Sequence, residues 1–389
     1  MEILEINYVN FRNLQDGNVK FFPKLNLFYG KNGQGKTSLL EALYFNSTGK
    51  SFRTSKSNEM MKYGHKRTGV YIVYKDNIGE KTLTVKFNNE DKKEYSYNGK
   101  RVQYDEFYGK LNVVTYIPED IVLITGSPSV RRNFFDGEIA QTSNEYFQEL
   151  KNFNKILKIR NKYLKEKKHK EPEFAIYQDE FVKYGAKVIE KRMEYVKKIS
   201  IILNLNYRKL FDDKKELSLQ YQCHLGNMKK MTLKEIEDAL RKRVEEKLGQ
   251  ELRYGFSLSG PQKDDFLFFL NSYEAKSTAS QGEKKSIIFS LKLSEIDMVL
   301  REKKESPILI IDDISSYFDS NRKDSILNYL EKRNIQVFIS STGGLGIDTK
   351  NFYVEKGEIS YDRDREHREN DRKGNWKEQK IKRGYRNER

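Results

Sequence analysis

Hydrophobic and polar positions divide the chain into β-rich flanks and a helical middle. Residues 1–30 predict two strands joined by a turn at Asp16-Gly17. Three later segments alternate with a period of two between polar turns, which predicts an antiparallel meander. These segments are 69–75, 81–88 and 93–100. Further apolar runs predict strands at 111–120, 308–311, 335–342 and 351–360.

Between about residues 143 and 255 the apolar positions recur at helical spacing among many Lys and Glu residues. Apolar residues from Val182 to Val196 step by four and three, which favours a helical hairpin or a short coiled coil. Thr232 and Glu235 have the spacing of a capping box at a helix start. The segment 158–170 is strongly basic, which is typical of a solvated helix face or of contact with nucleic acid.

After residue 255 the pattern returns to alternating helices and strands, with a strongly periodic helix predicted over 281–300. The whole pattern predicts an α/β protein with a mixed sheet, an antiparallel β subdomain and an inserted helical domain. The predicted domains are 1–142, 143–255 and 256–360, followed by a charged tail at 361–389. The tail has almost no apolar residues and is expected to be disordered.

Residues 30–37 read GKNGQGKT, the spacing of a phosphate-binding loop, or P-loop. An apolar segment (24–30) precedes it and a helical pattern (38–45) follows, which is the strand–loop–helix context that a P-loop requires. Lys36 is expected to reach the β- and γ-phosphates of a nucleotide, and the Thr37 hydroxyl to ligate Mg²⁺. The predicted nucleotide-binding residues of the loop are Gly30, Lys31, Asn32, Gly33, Gln34, Gly35, Lys36 and Thr37.

Two other polar pairs fit the same site. Arg12 and Asn13 interrupt an apolar stretch, so they either end a strand or contact the nucleotide. The apolar run 308–311 leads directly into Asp312 and Asp313, as in a Walker B strand. Asp312 is expected to hold Mg²⁺ with Thr37, and Asp313 to orient or deprotonate the attacking water. Asp312 and Asp313 are therefore the predicted catalytic residues.

Composition narrows the class of protein and of partner. The 389 residues include one cysteine, which excludes an intramolecular disulfide and fits a reducing cytoplasm. The four histidines are scattered and suggest no zinc site. Without a signal peptide or an apolar run of about 20 residues, we expect an intracellular protein that does not enter membranes. The net charge of +16 indicates either a polyanionic partner or a Lys-rich solvated surface.

Ser280, Gln281 and Gly282 stand at the start of the 281–300 helix, shortly before the Walker B strand. A Ser and a Gly at a helix N-terminus form an anion site, although the same residues also make an ordinary N-cap. Because one P-loop suffices to hold one γ-phosphate, this second site predicts an ATPase that sandwiches ATP between two subunits.

This order of motifs resembles the ABC-type heads of SMC-like chromosome and repair ATPases, and more closely the bacterial RecF family. The matching stretches include NFRN, FYGKNGQGKTSLLEALYF, STGKSFRT, ILKIRNKYL, GPQKDD, SQGEKKS and ILIIDD, spread over residues 1 to about 360. The chain differs from the usual family pattern at Gln262 and Lys263, and again at Glu283, Lys284 and Lys285.

The resemblance implies an ATP- and Mg²⁺-dependent DNA-binding protein of DNA repair and replication. It implies binding to single-stranded and gapped duplex DNA as an ATP-dependent homodimer, alongside RecR and RecO-type mediators. It further implies recombinase loading, support of the SOS response, weak DNA-stimulated ATPase activity and a cytoplasmic, nucleoid-associated location. The segment from Pro118 to Asp120, at the end of the strand predicted at 111–120, is a possible Q-loop equivalent.

Two alternative functions are the ATPase subunit of an ABC transporter and an SMC-like structural chromosome ATPase head. The basic charge and the long insertion between the P-loop and the Ser280–Gly282 segment argue against the transporter subunit. The helices predicted within 173–253 are too short for the long coiled coil of a structural SMC protein.

Overall fold

The computed structural model describes residues 1–90, 92–226, 231–346 and 349–362. The predicted disorder of the tail therefore concerns residues that, from 363 onward, lie outside the described residues. Tyr361, which the sequence places at the start of the tail, instead ends the last strand.

The structure contains both strands and helices, and most of the strands lie before residue 117 or after residue 307. The strands are β1 (Glu2–Val9), β2 (Gly17–Lys20), β3 (Leu25–Tyr29), β4 (Arg67–Lys75), β5 (Glu80–Asn88), β6 (Lys93–Tyr97), β7 (Lys100–Val102), β8 (Val113–Tyr116), β9 (Leu217–Gln222), β10 (Asp265–Leu270), β11 (Tyr273–Glu274), β12 (Ile308–Ile311), β13 (Val337–Ser341), β14 (Lys350–Glu355) and β15 (Glu358–Tyr361). The helices are α1 (Lys36–Thr48), α2 (Tyr104–Phe107), α3 (Val122–Thr125), α4 (Pro128–Thr142), α5 (Asn144–Lys165), α6 (Pro172–Leu210), α7 (Leu233–Tyr254), α8 (Ala275–Thr278), α9 (Gln281–Lys303), α10 (Ile314–Tyr317) and α11 (Ser320–Glu331). Among the described helices, none combines the length and the apolar character that crossing a bilayer requires.

The chain forms two compact units. The first contains Met1–Ile117 and the chain from Pro307 onward, and the second contains Pro118–Ser306. These divisions differ from the domain boundaries predicted at 142/143 and 255/256. In the second unit β10 pairs with β9, and α9 packs against α6. Residues 256–306 are therefore grouped with the long helices by their packing.

The first unit contains two sheets with α1 packed against strands of both. The antiparallel sheet has the order β2-β1-β4-β5-β6-β7, which confirms the predicted meander. The other sheet has the order β15-β14-β3-β13-β12-β8; it is parallel except for β15 at its edge. The predicted pairing of strands around the turn at Asp16-Gly17 is confirmed by the β1–β2 hairpin, but residues 1–30 contain three strands and not two, because the apolar segment 25–29 forms a separate strand of the parallel sheet.

Helix α1 is buried almost all round, which a helix between two sheets requires. Leu39, Leu40 and Leu43 have no exposed surface and belong to the main hydrophobic core. Asn46 is equally buried, and its amide nitrogen donates to the carbonyl oxygens of Val70 (2.7 Å) and Leu83 (3.2 Å) in the antiparallel sheet. Because these bonds satisfy the donor, the helix holds a polar residue at a buried position.

The second unit is built on α6, a helix of 39 residues that packs against α5, α7, α9 and β9. The prediction of helices throughout 143–255 is wrong at Leu217–Gln222, where β9 pairs with β10 in a small antiparallel sheet with β11. The signal for β9 is a short alternation of Leu217 and Leu219 with polar residues. Its partner lies more than forty residues away in the sequence, so local periodicity did not reveal it.

Buried ion pairs connect α4 to β10, α6 to α4 and α5 to α7 in the second unit. Arg131 binds both carboxylate oxygens of Asp265 at 2.7 Å, and Arg192 binds both oxygens of Asp136 at 2.8 Å. Arg160 lies 2.7 Å from Glu251, and neither side chain is exposed. Such paired and hydrogen-bonded charges are tolerated in a core, whereas one partner left alone is strongly destabilising.

We expect Arg160→Ala to lower the free energy of unfolding by about 3–5 kcal/mol, because it leaves the Glu251 carboxylate buried without its cation. Arg241→Ala is the matched control, since Arg241 pairs with Asp179 at an exposed position of the same unit. Its loss should be at most about 1 kcal/mol. Urea unfolding followed by circular dichroism measures both changes, and equal losses would contradict a special role for the buried pair.

Candidate nucleotide site

The P-loop connects β3 to α1 and depends on glycine for its backbone conformation. Gly30 has φ 146° and Gly35 has φ 117°, both in the region that residues with a Cβ atom avoid. A Cβ on Gly30 would lie 2.4 Å from the carbonyl oxygen of Val354 in β14. The loop therefore packs directly on backbone, as a loop that must present its own N–H groups to a phosphate does.

Lys36 occupies the first turn of α1, and its side chain folds over the loop. Its Nζ atom donates to the carbonyl oxygens of Gly30 (2.7 Å) and Lys31 (2.9 Å). Burial lowers the pKa of Lys36, and the carboxylates of Asp313 and Asp312 oppose this shift. The cation is thus held beside the loop by neutral oxygens and faces two acidic side chains.

The predicted metal ligands lie together. The Thr37 hydroxyl is 3.0 Å from each carboxylate oxygen of Asp312. Ser340, at the end of β13, donates from its hydroxyl to Asp312 Oδ1 (2.5 Å) and accepts from the backbone N–H of Asp313 (2.8 Å). A hydroxyl and a carboxylate at this spacing are oxygen donors of the kind that Mg²⁺ prefers, so these residues fit the ion.

A cavity of about 520 Å³ opens over the loop, the size of a small-molecule site. Its lining contains Arg12, Asn13, Asn32, Gly33, Gly35, Lys36, Thr37, Ser38, Arg53, Glu59, Met61, Asp312, Asp313 and Ser340. Three predicted residues of the loop, Gly30, Lys31 and Gln34, are outside this lining. The structure therefore brings together the predicted residues from positions 12–13, 32–37 and 312–313, apart from Gln34.

The sequence did not reveal how Arg12 is fixed. Its guanidinium binds both carboxylate oxygens of Glu41 (2.7 and 2.8 Å), a fully buried residue of α1. Arg53 also approaches Glu41, at 3.5 Å, and Ser51 donates to it. Glu41 thus holds two arginines at the cavity wall. The signal for this role in the sequence was a carboxylate inside the otherwise apolar pattern of α1.

A turn near the C-terminal end of the described chain braces the P-loop. The backbone N–H of Lys356 donates to Gln34 Oε1 (2.7 Å), and that of Gly357 to the Gln34 carbonyl oxygen (2.9 Å). From the other side, the Asn13 side chain donates to the Gly33 carbonyl oxygen (3.0 Å). Gln34 and Asn13 therefore have structural contacts in addition to any contact with a nucleotide.

Ser280, Gln281 and Gly282 lie in the second unit, at the start of α9. Ser280 is the N-cap: its hydroxyl accepts from the Glu283 N–H (3.2 Å), and the Glu283 carboxylate accepts from the Ser280 N–H (2.7 Å). The ammonium of Lys215 and the Ser280 N–H lower the pKa of Glu283 to about 2. The resulting stabilisation is present above the ordinary pKa of 4.5 and is lost as the pH falls towards about 2.

The Q-loop prediction falls in the same unit. Residues Pro118–Ile121 form a short 3₁₀ turn, and Asp120 lies 3.8 Å from Lys292 of α9. The assignment of this segment as a Q-loop stays a prediction.

Cys223, His224 and Asp264 form a cluster that the scattered histidines did not predict, with possible ligand atoms within 4.8 Å of one another. His224 Nδ1 is 2.6 Å from Asp264, and His224 Nε2 accepts from the Gly260 N–H (2.9 Å). Burial raises the pKa of Cys223 to about 12. Because both ring nitrogens are already hydrogen-bonded and the thiol stays protonated, we assign the cluster a structural role.

Alanine at two glycines of the P-loop separates close packing from backbone conformation. Gly30→Ala should lower the free energy of unfolding by about 2–4 kcal/mol, because the methyl group meets the Val354 carbonyl at an unfavourable φ. Gly33→Ala is the control: Gly33 also has positive φ (77°), but nothing lies within 4 Å of its Cβ position. Its loss should be about 1 kcal/mol. If Gly30→Ala unfolds at the wild-type midpoint in thermal denaturation, the described packing is wrong.

The comparisons with known proteins agree with this architecture. The model of the family described as RecF/RecN/SMC N terminal domain matches residues 2–345. The DNA replication and repair protein RecF of Alkaliphilus oremlandii (strain OhILAs) is 34% identical over 366 residues, covering 92% of this chain and 100% of that protein. RecF of Clostridium tetani (strain Massachusetts / E88) is 32% identical, covering 92% and 99%.

Two solved structures resemble the fold of this chain. The recombination mediator protein RecF bound to ATP, in the RecFOR pathway, has a TM-score of 0.87 at 31% identity, and covers 92% of this chain and 97% of that one. The Smc head bound to the C-winged helix domain of ScpA has a TM-score of 0.57 at 14% identity, covering 93% and 97%. The second likeness shows the fold alone, that of an SMC-like ABC-type ATPase head. The chain belongs to the RecF family of DNA replication and repair proteins.

Proposed function

We propose that the chain binds Mg²⁺-ATP in the cavity over the P-loop and uses it to control binding to DNA during repair and replication. The observation that carries this proposal is the convergence of Lys36, Thr37 and Asp312 at one edge of the parallel sheet. The RecF structure solved with ATP supports the same ligand. The basic net charge of +16 favours a polyanionic partner.

Each residue of the cavity has a distinct part in this proposal. When bound, Mg²⁺-ATP would supply the phosphoanhydride bond to be hydrolysed, and the charge on its phosphate oxygens would have to be neutralised. Lys36 would bind the β,γ-phosphates, Thr37 and Asp312 would hold the metal ion, and Asp313 would orient the attacking water. Asp313 has left-handed backbone geometry (φ 52°), and the Ser340 hydroxyl accepts from its backbone N–H. This hydrogen bond holds the backbone of Asp313 in place, and the carboxylate of Asp313 is the group proposed to orient the water.

The dimeric part of the proposal rests on Ser280 to Gly282. The Ser280 hydroxyl accepts the capping bond from the Glu283 N–H and also hydrogen-bonds the Glu283 carboxylate, so donation to a phosphate oxygen would replace the second bond and leave the first in place. The same three residues can therefore cap the helix and bind an anion. We infer that this segment meets the γ-phosphate held by a second copy of the chain, as an isologous dimer requires.

The resemblance to RecF adds the biological setting of the proposal. The proposed DNA is single-stranded or a gapped duplex, the proposed partners are RecR and RecO-type mediators, and the proposed outcome is recombinase loading with support of the SOS response. ATP hydrolysis is proposed to be weak and to time release from DNA. The proposed location is the cytoplasm, at the nucleoid. The family match disfavours a transporter subunit, and the described helices include no long coiled coil like that of a structural SMC protein.

Removal of the P-loop cation tests nucleotide binding. Lys36→Ala should abolish tight binding of a fluorescent ATP analogue, because the ammonium on the β,γ-phosphates is lost. Lys24→Ala is the matched control, since Lys24 is an exposed lysine just before β3 that is outside the cavity lining and outside the P-loop. It should bind within about threefold of wild type, as expected for an exposed charge worth less than 1 kcal/mol. Retained binding by Lys36→Ala would refute the assignment.

Two substitutions separate ATP binding from dimerisation. Ser280→Arg should bind ATP, remain monomeric in Mg²⁺-ATP, and lose hydrolysis and ATP-stimulated DNA binding, because its bulk and charge block the partner's nucleotide. Asp313→Asn should instead accumulate an ATP-locked dimer, since it spares metal binding but removes the carboxylate that orients water. Light scattering with and without Mg²⁺-ATP measures the oligomeric state of both variants.

Loss of the cap in Ser280→Arg should destabilise the protein by no more than about 2 kcal/mol, so the variant is expected to fold. If folded Ser280→Arg still dimerises on ATP, Ser280 is only a helix cap and the sandwich is wrong.

A further inference from the structure

A row of lysines follows one face of α5 in the second unit. The exposed residues are Lys151, Lys155, Lys158, Lys162 and Lys165. Their spacing of four, three, four and three places them within an arc of about 80° along about 21 Å of helix. We call these five residues the lysine stripe. Lys158, Lys162 and Lys165 belong to the basic segment 158–170, for which the sequence allowed either a solvated helix face or a contact with nucleic acid.

The opposite face of α5 fixes the direction of this stripe. Phe153, Ile156 and Leu164 are buried there, together with Arg160 and its partner Glu251. The helix contains no Asp or Glu between Lys151 and Lys165. Lys155, Lys158, Lys162 and Lys165 also make no ion pair with any residue that the structure describes. The positive charge of these four lysines is therefore not neutralised by an ion pair with a described residue.

Two exposed aromatic side chains adjoin the end of the stripe. Tyr254 is 65% exposed and Phe256 is 42% exposed, and their ring centroids lie 6.0 Å apart. The Cβ position of Gly255, between them, is 3.4 Å from the Cα atom of Lys165. Ser257, the next residue along, donates from its backbone N–H and its hydroxyl to Asn161 of α5, at 2.8 and 2.7 Å.

The aromatic pair is therefore held in place although its rings face solvent. Arg160 donates to the Ser257 hydroxyl (2.7 Å), and Glu251 accepts from the Leu258 N–H (2.7 Å). The buried ion pair thus anchors the turn that carries Tyr254 and Phe256. In addition, Lys263 places its Nζ atom 5.2 Å from the centroid of the Phe256 ring. Exposed aromatic rings that are held in position beside cations can stack on a planar group of an anionic ligand.

We propose that the lysine stripe and the Tyr254–Phe256 pair form a binding surface for single-stranded DNA. The stripe contacts successive phosphates, and the rings stack on bases. Stacking requires bases that are not already paired and stacked in a duplex, so the aromatic pair selects a single strand over a blunt duplex. This inference rests on the proposed function, because it assumes that the chain binds DNA, and it names where a single-stranded segment is held.

Three combined variants test the surface with Mg²⁺-ATP present. The stripe variant is Lys155→Gln, Lys158→Gln and Lys162→Gln. The control carries the same charge change on three other helices, at exposed lysines without a described ion pair: Lys197→Gln, Lys242→Gln and Lys303→Gln. The aromatic variant is Tyr254→Ala and Phe256→Ala. Fluorescence anisotropy with a single-stranded oligonucleotide, a gapped duplex and a blunt duplex gives affinities between low and physiological salt.

The stripe variant should bind the single strand with a log–log salt slope shallower by about 2, because three phosphate contacts are lost at about 0.7 each. The scattered control should change the slope by less than half of that amount. The aromatic variant should weaken single-strand binding about fivefold or more and leave blunt-duplex binding unchanged. All variants change exposed side chains, and their thermal midpoints should confirm that they fold.

The outcomes distinguish this surface from the proposed function. If the wild type binds DNA but the stripe variant behaves like the scattered control, the lysine stripe is a solvated surface and the inference is overturned. If the aromatic variant weakens single strand and blunt duplex equally, stacking on unpaired bases is refuted. If the wild type binds none of the three DNAs with ATP, the proposed function itself fails.

Discussion

The parallel pairing of β3, β13 and β12 is the constraint on which the candidate site depends. Backbone hydrogen bonds align Leu27 with Ile339 and Ile339 with Ile311, so the three strands end at the same edge. Directly beyond that edge come the P-loop, Ser340 and Asp312. A shift of the pairing by one residue would turn the side chains of the shifted strand to the other face of the sheet. The buried strands that fix the register therefore also fix the distance between Thr37 and Asp312.

Much of this site follows from sequence, because its parts are local. A P-loop needs glycines at set positions between a strand and a helix, and an apolar strand that ends in two carboxylates is visible without knowledge of its neighbours. Ser340 was missed because nothing in its local sequence marks it, and Glu41 because a carboxylate in an apolar helix pattern does not reveal its partner. Ser340 can bond to Asp312 only because β13 lies between β3 and β12. Glu41 contributes to the cavity wall only because Arg12, in the turn after β1, binds its carboxylate.

The fold was predicted best where the hydrophobic period is regular and least well where partners are distant. The meander and the capped helices α7 and α9 follow from period and caps. Strand β9 was missed because it is six residues long and flanked by helices, and only pairing with β10 makes it a strand. The same long-range pairing explains why residues 256–306 group with the helices. Local periodicity carries no information about such partners.

The brace between Gln34 and Lys356 joins residues 322 positions apart. During synthesis at about 5–20 residues per second, the P-loop therefore leaves the ribosome between about 15 and 65 s before the turn that supports it. The whole second unit is made in that interval. A nascent chain carries its P-loop long before β14 and its closing turn can pack beneath it. Full assembly of this pocket is thereby tied to synthesis of nearly the entire described chain.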